Sequence, residues 1–243
     1  MDFEIAIPSY KRSEVLRDKT LKFLSAEEIP RDRVTIFVAD QEELEVYQRD
    51  ISGYKFVVGK KGLSNQRLFI RNYYQEGAKI VTVDDDIRAI KKKTDLSFVE
   101  ICTRLFAHCE AEKITTFGFY PTNNLFFCKD RLVLGSFYII GAVYGFINKK
   151  DIQEWLDRDE KEDVWYSLRR IELDGAVLRY EGLCLDTTYY AKGGMAESRT
   201  IESEKEGAKK VCSLYPNATK FCQKKNGHYE AKIKRVVKKT LTI

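Results

Sequence analysis

The most chemically distinctive stretch of this chain is Val81-Thr82-Val83-Asp84-Asp85-Asp86, three carboxylates in a row at the end of an apolar run. Adjacent carboxylates repel one another, and holding them at a strand end is costly unless a cation or hydrogen-bond donors compensate. Hard oxygen ligands of this kind suit Mg²⁺ or Mn²⁺, ions that also bridge phosphate oxygens. Because side chains alternate along a strand, Asp84 and Asp86 are expected to face one side and Asp85 the other. A solvated acidic turn, or a cap for Ile87-Arg88-Ala89-Ile90, is the plain alternative.

A second candidate is Gly59-Lys60-Lys61-Gly62-Leu63-Ser64-Asn65-Gln66-Arg67, which leads from a short strand into a helix. Backbone amides at that helix start, together with Arg67, could meet the anionic oxygens of a diphosphate. An ordinary capped loop fits the same residues. The GxxxxGK(S/T) pattern is absent and no GxGxxG follows the first strand, which removes P-loop and dinucleotide-binding readings. His108 and His228 are the only histidines, so histidine triads and tri-histidine zinc sites have no support. Six cysteines form no CxxC pair and read as reduced thiols packed as small hydrophobes.

The elements that must position these residues follow from periodicity. Phe3 to Ile7 is an apolar run closed by Pro8; Val15, Leu16, Leu21, Phe23 and Leu24 then recur at helical spacing. Val34 to Ala39 reads as a strand, Glu42 to Arg49 as a helix, Lys55 to Val58 as a strand, Leu63 to Gln75 as a helix and Lys79 to Val83 as a strand. Strands alternating with helices imply right-handed crossovers and a mainly parallel sheet with helices on both faces. Ligands of such sheets bind beyond the carboxyl ends of the strands, where Pro8 to Arg12, Asp40 and the aspartate run all fall.

The second half has a different rhythm. Helices are expected over Ser97 to Ala111, Asp151 to Leu156, Asp163 to Ile171 and Ile201 to Tyr215. Strands are expected over Ile114 to Tyr120, Leu125 to Cys128, Phe137 to Asn148, Gly182 to Thr187 and Tyr229 to Val236. These strands are read as antiparallel additions to the sheet. The whole chain, 1–243, is expected to be one α/β domain made of two halves, 1–95 and 96–243.

A hydrophobic fraction of 44% with no Gly-, Pro- or Ser-rich tract argues against disorder and linkers. No apolar stretch reaches the roughly 20 residues of a membrane span, and no signal peptide is seen, so a soluble cytoplasmic protein is expected. Net charge is +5 but unevenly spread: from Lys205 to Ile243 eleven Lys or Arg stand against Glu206 and Glu230. Such a basic end suits a polyanion such as nucleic acid; a solvated lysine-rich helix and tail explains it equally well.

Taken together, Ile7-Pro8-Ser9-Tyr10-Lys11-Arg12, Phe37-Val38-Ala39-Asp40, Gly59 to Arg67 and Val83-Asp84-Asp85-Asp86 resemble the TET-associated glycosyltransferases. These are GT-A-like proteins related to the base J glucosyltransferase and to the catalytic domain of GREB-type nuclear receptor cofactors. The resemblance rests on the ordered set of motifs and is strongest over the first 90 residues. It implies that Pro8, Ser9, Tyr10 and Arg12 border the nucleotide of a UDP-sugar and that Asp40 holds its base or ribose. It further implies that Gly62, Asn65 and Arg67 line the sugar-nucleotide pocket. Asp84, Asp85 and Asp86 would form the DxD-type site, with Asp84 and Asp86 on Mn²⁺ or Mg²⁺ and Asp85 toward the nucleotide.

Later segments are read against the same resemblance. Glu162-Asp163-Val164-Trp165 looks like the acidic pair at a helix start of GT-A enzymes, which makes Asp163 the candidate general base. Acidic residues also favour helix starts with no chemistry involved. His228 stands where many GT-A folds place a late histidine ligand for the metal, or is simply a turn residue. Tyr120 to Asn124, and Gly193-Gly194-Met195 with Arg199, would lie near the sugars or form plain turns. Tyr138, Tyr144, Trp165, Tyr189 and Tyr190 would stack on a sugar or flipped base, or belong to the core.

The expected reaction is sugar transfer from a nucleoside diphosphate sugar to the hydroxyl of a 5-hydroxymethylated pyrimidine in DNA, in the cytoplasm, that of the host cell for a phage or viral protein. Transfer to protein or glycan, a metal-dependent nuclease or nucleotidyltransferase, and a non-catalytic DNA-binding module are the competing readings.

Overall fold

The structure is a computed structural model that describes residues 1–187 and 200–243. Tyr189, Tyr190, Gly193, Gly194, Met195 and Arg199 lie outside the described residues.

The first third builds β1 (Glu4–Pro8), α1 (Ser13–Asp18), α2 (Thr20–Ala26), β2 (Val34–Val38), α3 (Gln41–Asp50), β3 (Lys55–Val58), α4 (Leu63–Tyr73) and β4 (Lys79–Val83). These four strands pair in parallel in the order β3-β2-β1-β4. The single helix expected after β1 is two: the backbone leaves helical geometry at Lys19 (φ −117°, ψ −82°). That break presents Thr20, whose hydroxyl donates to the Asp84 carbonyl at 2.7 Å and accepts from the Ile87 amide at 3.0 Å. The helix interruption therefore anchors the loop that carries the three aspartates.

The remainder builds β5 (Ala89–Lys92), α5 (Phe98–Ala111), β6 (Thr116–Phe119), β7 (Leu132–Ser136), β8 (Val143–Ile147), α6 (Glu162–Asp174), β9 (Val177–Tyr180) and β10 (Leu183–Asp186). After these come α7 (Ile201–Leu214), β11 (Thr219–Gln223), β12 (Tyr229–Ile233) and β13 (Val236–Leu241). One nine-stranded sheet, ordered β13-β7-β9-β6-β8-β4-β1-β2-β3, runs through both halves. It is joined where β8 pairs antiparallel with β4. β5 with β10, and β11 with β12, form two small antiparallel ribbons.

Alternation along the strands sends side chains to two cores. Ile5, Ile7, Val34, Ile36, Val38, Val81 and Val83 pack with Leu16, Tyr47 and Phe98 on one face. Ala6, Phe37, Ile80, Tyr144 and Phe146 pack with Ile70, Trp165 and Val211 on the other. Each large side chain so buried contributes on the order of 1.5–3 kcal/mol, so helices from α1, α3 and α5 on one side and α4, α6 and α7 on the other are held to the sheet. This is the α/β architecture expected, with a parallel first half and antiparallel additions in the second.

Several local expectations fail for tertiary reasons. Leu125 to Cys128 is not a strand but a 3-10 turn over Leu125–Phe127, started by the Asn124 side chain, which accepts from the Phe126 amide at 3.0 Å. Asp151 to Leu156 forms no helix: Asp151 is drawn to Arg170 at 2.8 Å, and Trp155 stacks on Tyr166. Six residues cannot repay helix nucleation when their side chains are claimed this way. Extension within Phe137 to Asn148 begins only at Val143, because the Ile139 amide donates to Ser167 on α6 and folds 137–142 into a loop. The expected closing strand splits into β12 and β13, the second of which moves to the sheet edge beside β7.

Candidate active site

The carboxyl ends of β1 and β4 open into a cavity of about 1370 Å³ lined by Pro8 to Arg12, Asp84 to Asp86, Gly62, Arg67, Glu162 and Asp163 among others. Pro8 to Arg12 and Asp84 to Asp86, more than seventy positions apart in sequence, meet there because the strands that carry them end side by side.

The three aspartates are divided between two arginines. Arg12, just after β1, lies 3.1 Å from Asp85 and 3.4 Å from Asp86. Ser9 donates to Asp85 at 2.7 Å and shares a 2.7 Å hydrogen bond with Tyr47, while Thr187 donates to Asp86 at 2.8 Å. Asp84 turns instead to Arg67 on α4, 3.1 Å away. Asp84 and Asp86 therefore do not form one face opposed to Asp85: β4 ends at Val83, and beyond it the two-residue alternation no longer applies.

Arg67 is almost wholly buried, at 2% exposure. Beyond Asp84 it donates to Thr82 at 3.2 Å and to the Gly141 carbonyl at 2.8 Å, stands 3.6 Å from Glu162 and covers the ring of Tyr144. It ties α4, β4, the 137–142 loop and the start of α6 into one charged hub, rather than offering an open fork to an incoming anion. Its Nε alone makes no hydrogen bond among the described residues; a buried charge with these partners is tolerated, and losing one leaves a costly orphan.

Electrostatics make this wall unsettled. Burial in the cavity wall raises the Asp84 carboxyl to about 8, with Arg67 opposing and Asp86 and Asp85 adding repulsion. A third of that side chain still faces the cavity, so enclosure by the cavity as a whole is what deprives it of bulk water. Burial also raises Asp85, to about 6, against the pull of Arg12 and the Ser9 hydrogen bond. Glu162 is pushed up by burial as well, against Arg67. Two arginines do not neutralise the four carboxylates Asp84, Asp85, Asp86 and Glu162, and such an excess is relieved by protonation or by a cation.

The start of α6 supplies the other wall. Asp163 accepts from the Tyr138 hydroxyl at 2.5 Å, from the Val164 amide at 2.9 Å and from the Gly141 amide at 3.4 Å. These donors hold the carboxylate in one orientation at the cavity surface. Gly62, at φ +90°, starts α4; a side chain there would be strained. One of the first amides of α4 is already taken, since Ser64 donates to Asp159 at 2.8 Å.

Other expected site residues lie elsewhere. Asp40 is exposed and caps α3, accepting from the Glu43 amide at 3.0 Å, and Asn65 is exposed and donates to the Lys61 carbonyl at 3.1 Å. Neither is among the described residues that line the cavity. His228 does line it, but its Nδ1 lies 2.7 Å from Glu204, which also holds Lys161 at 2.7 Å. The histidine is thus positioned by Glu204 on α7. Among the described residues, no three His, Cys, Asp or Glu side chains converge as a ready-made metal cage. A Mg²⁺-like ion held by one or two carboxylates and completed by substrate phosphates and water needs no such cage, so the donor set fits that mode only.

Lys161, Asp159 and Glu204 are site residues that sequence reasoning missed. Their one local sign was the density of charge from Asp157 to Asp163, which does not say which charges turn inward. The six cysteines are free, four of them buried, and no described helix is long and apolar enough to cross a membrane.

With this geometry in view, comparison with known proteins defines the class of fold. The chain aligns over 97% of its length with glucosyl-3-phosphoglycerate synthase from Mycobacterium tuberculosis, solved with Mn²⁺, UDP and glucosyl-3-phosphoglycerate. That match covers 88% of the synthase at TM-score 0.52 and 8% identity. The galactosyltransferase LgtC, solved with donor and acceptor sugar analogues, aligns over 73% of both chains at TM-score 0.43 and 14% identity. No protein-family model and no curated protein matches the sequence. The fold is that of the GT-A nucleotide-sugar transferases.

Proposed function

We propose that the protein is a metal-dependent glycosyltransferase that takes a sugar from a nucleoside diphosphate sugar, UDP-linked by the resemblance stated above. Its acceptor is the hydroxyl of a 5-hydroxymethylpyrimidine in DNA. One observation carries the reading: Asp84, Asp85 and Asp86, incompletely neutralised by Arg12 and Arg67, share a cavity at the sheet's carboxyl edge with an oriented carboxylate, Asp163. The domain reading follows, with 1–95 binding the donor and 96–243 the acceptor.

In this reading a bound Mn²⁺ or Mg²⁺ supplies neutralisation of the departing diphosphate's charge. Asp84 and Asp86 are the residues that would hold it. Pro8 to Arg12 border the nucleotide, with Ser9 and Arg12 keeping Asp85 in place beside it. Asp163 receives the proton of the attacking hydroxyl at the carboxylate oxygen that Tyr138 now occupies, and the phenol orients the base until the acceptor arrives. Arg67 positions Asp84 and Glu162 and touches no substrate. An acceptor base in duplex DNA reaches the cavity by leaving the stack.

The test is a thermal-shift screen of nucleotide sugars with Mn²⁺, followed by mass spectrometry of hydroxymethylated DNA incubated with the stabilising donor. A mass gain of one sugar on the modified base supports the proposal. Donor stabilisation with transfer only to protein or glycan overturns the DNA acceptor. DNA cleavage or nucleotide incorporation, without sugar-nucleotide hydrolysis, overturns the enzyme class.

A further inference from the structure

At the acceptor side of the cavity a second charged group has no part in the mechanism above. Arg179, on β9, is 5% exposed and lines the cavity, and its guanidinium lies against Phe137 at 4.5 Å and Tyr120 at 5.2 Å. Its Nε has no hydrogen-bond partner among the described residues. Glu181 binds Arg179 and also holds Arg131 at 2.6 Å and Arg235 at 3.5 Å. Three guanidiniums therefore share one carboxylate, and Lys232 and Arg235, both exposed, line the same cavity. An excess of positive charge held rigidly on aromatic rings, with a buried donor left over, is the chemistry of an anion subsite.

We propose that Arg179, Lys232 and Arg235 form a phosphate subsite for the acceptor, which therefore carries a phosphate group next to the hydroxyl that is modified. The assignment rests on the glycosyltransferase reading for its role but not for its binding. It sets the acceptor's anion on the basic wall and leaves the carboxylate wall to the donor. A phosphodiester of a polynucleotide and a phosphomonoester of a small molecule present the same oxygens, so the test separates them.

The probes are a fluorescein-labelled octadeoxynucleotide and glycerol phosphate, titrated against the full chain at several salt concentrations; binding of UDP with Mn²⁺ is measured in parallel. Lys232→Gln with Arg235→Gln is expected to weaken octamer binding at least about fivefold and to lower the salt slope by about 1–2. Lys232→Arg with Arg235→Lys is expected to restore most of it. Both positions are exposed, so the variants fold. Glycerol phosphate binding with the same charge dependence, without octamer binding, keeps the subsite and overturns the polynucleotide acceptor. An octamer affinity that the Gln variant leaves unchanged, or no binding of either probe, overturns the subsite. UDP that fails to bind while the octamer does removes the donor reading alone.

Discussion

Arg67 and Asp84 meet at 3.1 Å across the gap between α4 and the end of β4, the arginine buried and the aspartate partly open to the cavity. The pair sets the boundary between the packed interior and the site: the arginine also donates to Thr82 and the Gly141 carbonyl inside, while the aspartate faces the cavity.

Removing the arginine should therefore cost more than an ordinary surface pair. Arg67→Ala leaves Asp84 and Glu162 without their shared cation, and a loss of about 3–5 kcal/mol in urea unfolding is expected. A loss below about 1 kcal/mol would show that the hub is solvated and the burial argument mistaken.

The raised carboxyls fix a pH dependence. Asp84 and Asp85 hold protons to about 8 and about 6 in the fold, above the usual aspartate range. The folded protein binds those protons more tightly than the unfolded chain, so this contribution to stability is present at low pH and is lost as pH rises through that window. A divalent ion competes with the same protons, and its stabilisation should grow as they leave. The melting-temperature gain from Mn²⁺ with UDP is thus expected to be larger at pH 8 than at pH 6. Equal gains would separate metal binding from these carboxylates.

Asp163→Asn should lower transfer by about 10²–10⁴-fold while UDP still binds. Tyr138→Phe removes the 2.5 Å donor that orients this carboxylate, so kcat should fall while UDP still binds. A Tyr138→Phe variant with unchanged kcat would assign the phenol to packing alone.

Gly141 sits where the walls meet. A Cβ there would lie 3.1 Å from the Asp163 Cβ, 3.2 Å from a Glu162 oxygen and 3.3 Å from an Arg67 nitrogen. Gly141→Ala is expected to cost about 1–3 kcal/mol through overpacking and to depress kcat along with stability. Full activity and an unchanged unfolding midpoint would mean that the loop yields freely.

By itself the sequence determined the first half of the fold. In β1, β2 and β4 the short apolar runs, and the helical spacing between them, are local patterns, and such runs mark strands buried on both faces. It also showed that Asp84 to Asp86 need compensation, since like charges repel wherever the chain puts them. Tertiary structure alone decided who compensates them: Arg67 lies seventeen positions from Asp84 and Arg12 seventy-three from Asp85. It likewise sent Asp163 to the cavity, left Asp40 and Asn65 outside, and turned His228 toward Glu204. Short segments such as β5, β9 and β11, and the non-helix at Asp151 to Leu156, were equally illegible. A few residues carry too weak an intrinsic preference to resist the partner that the rest of the chain brings to them.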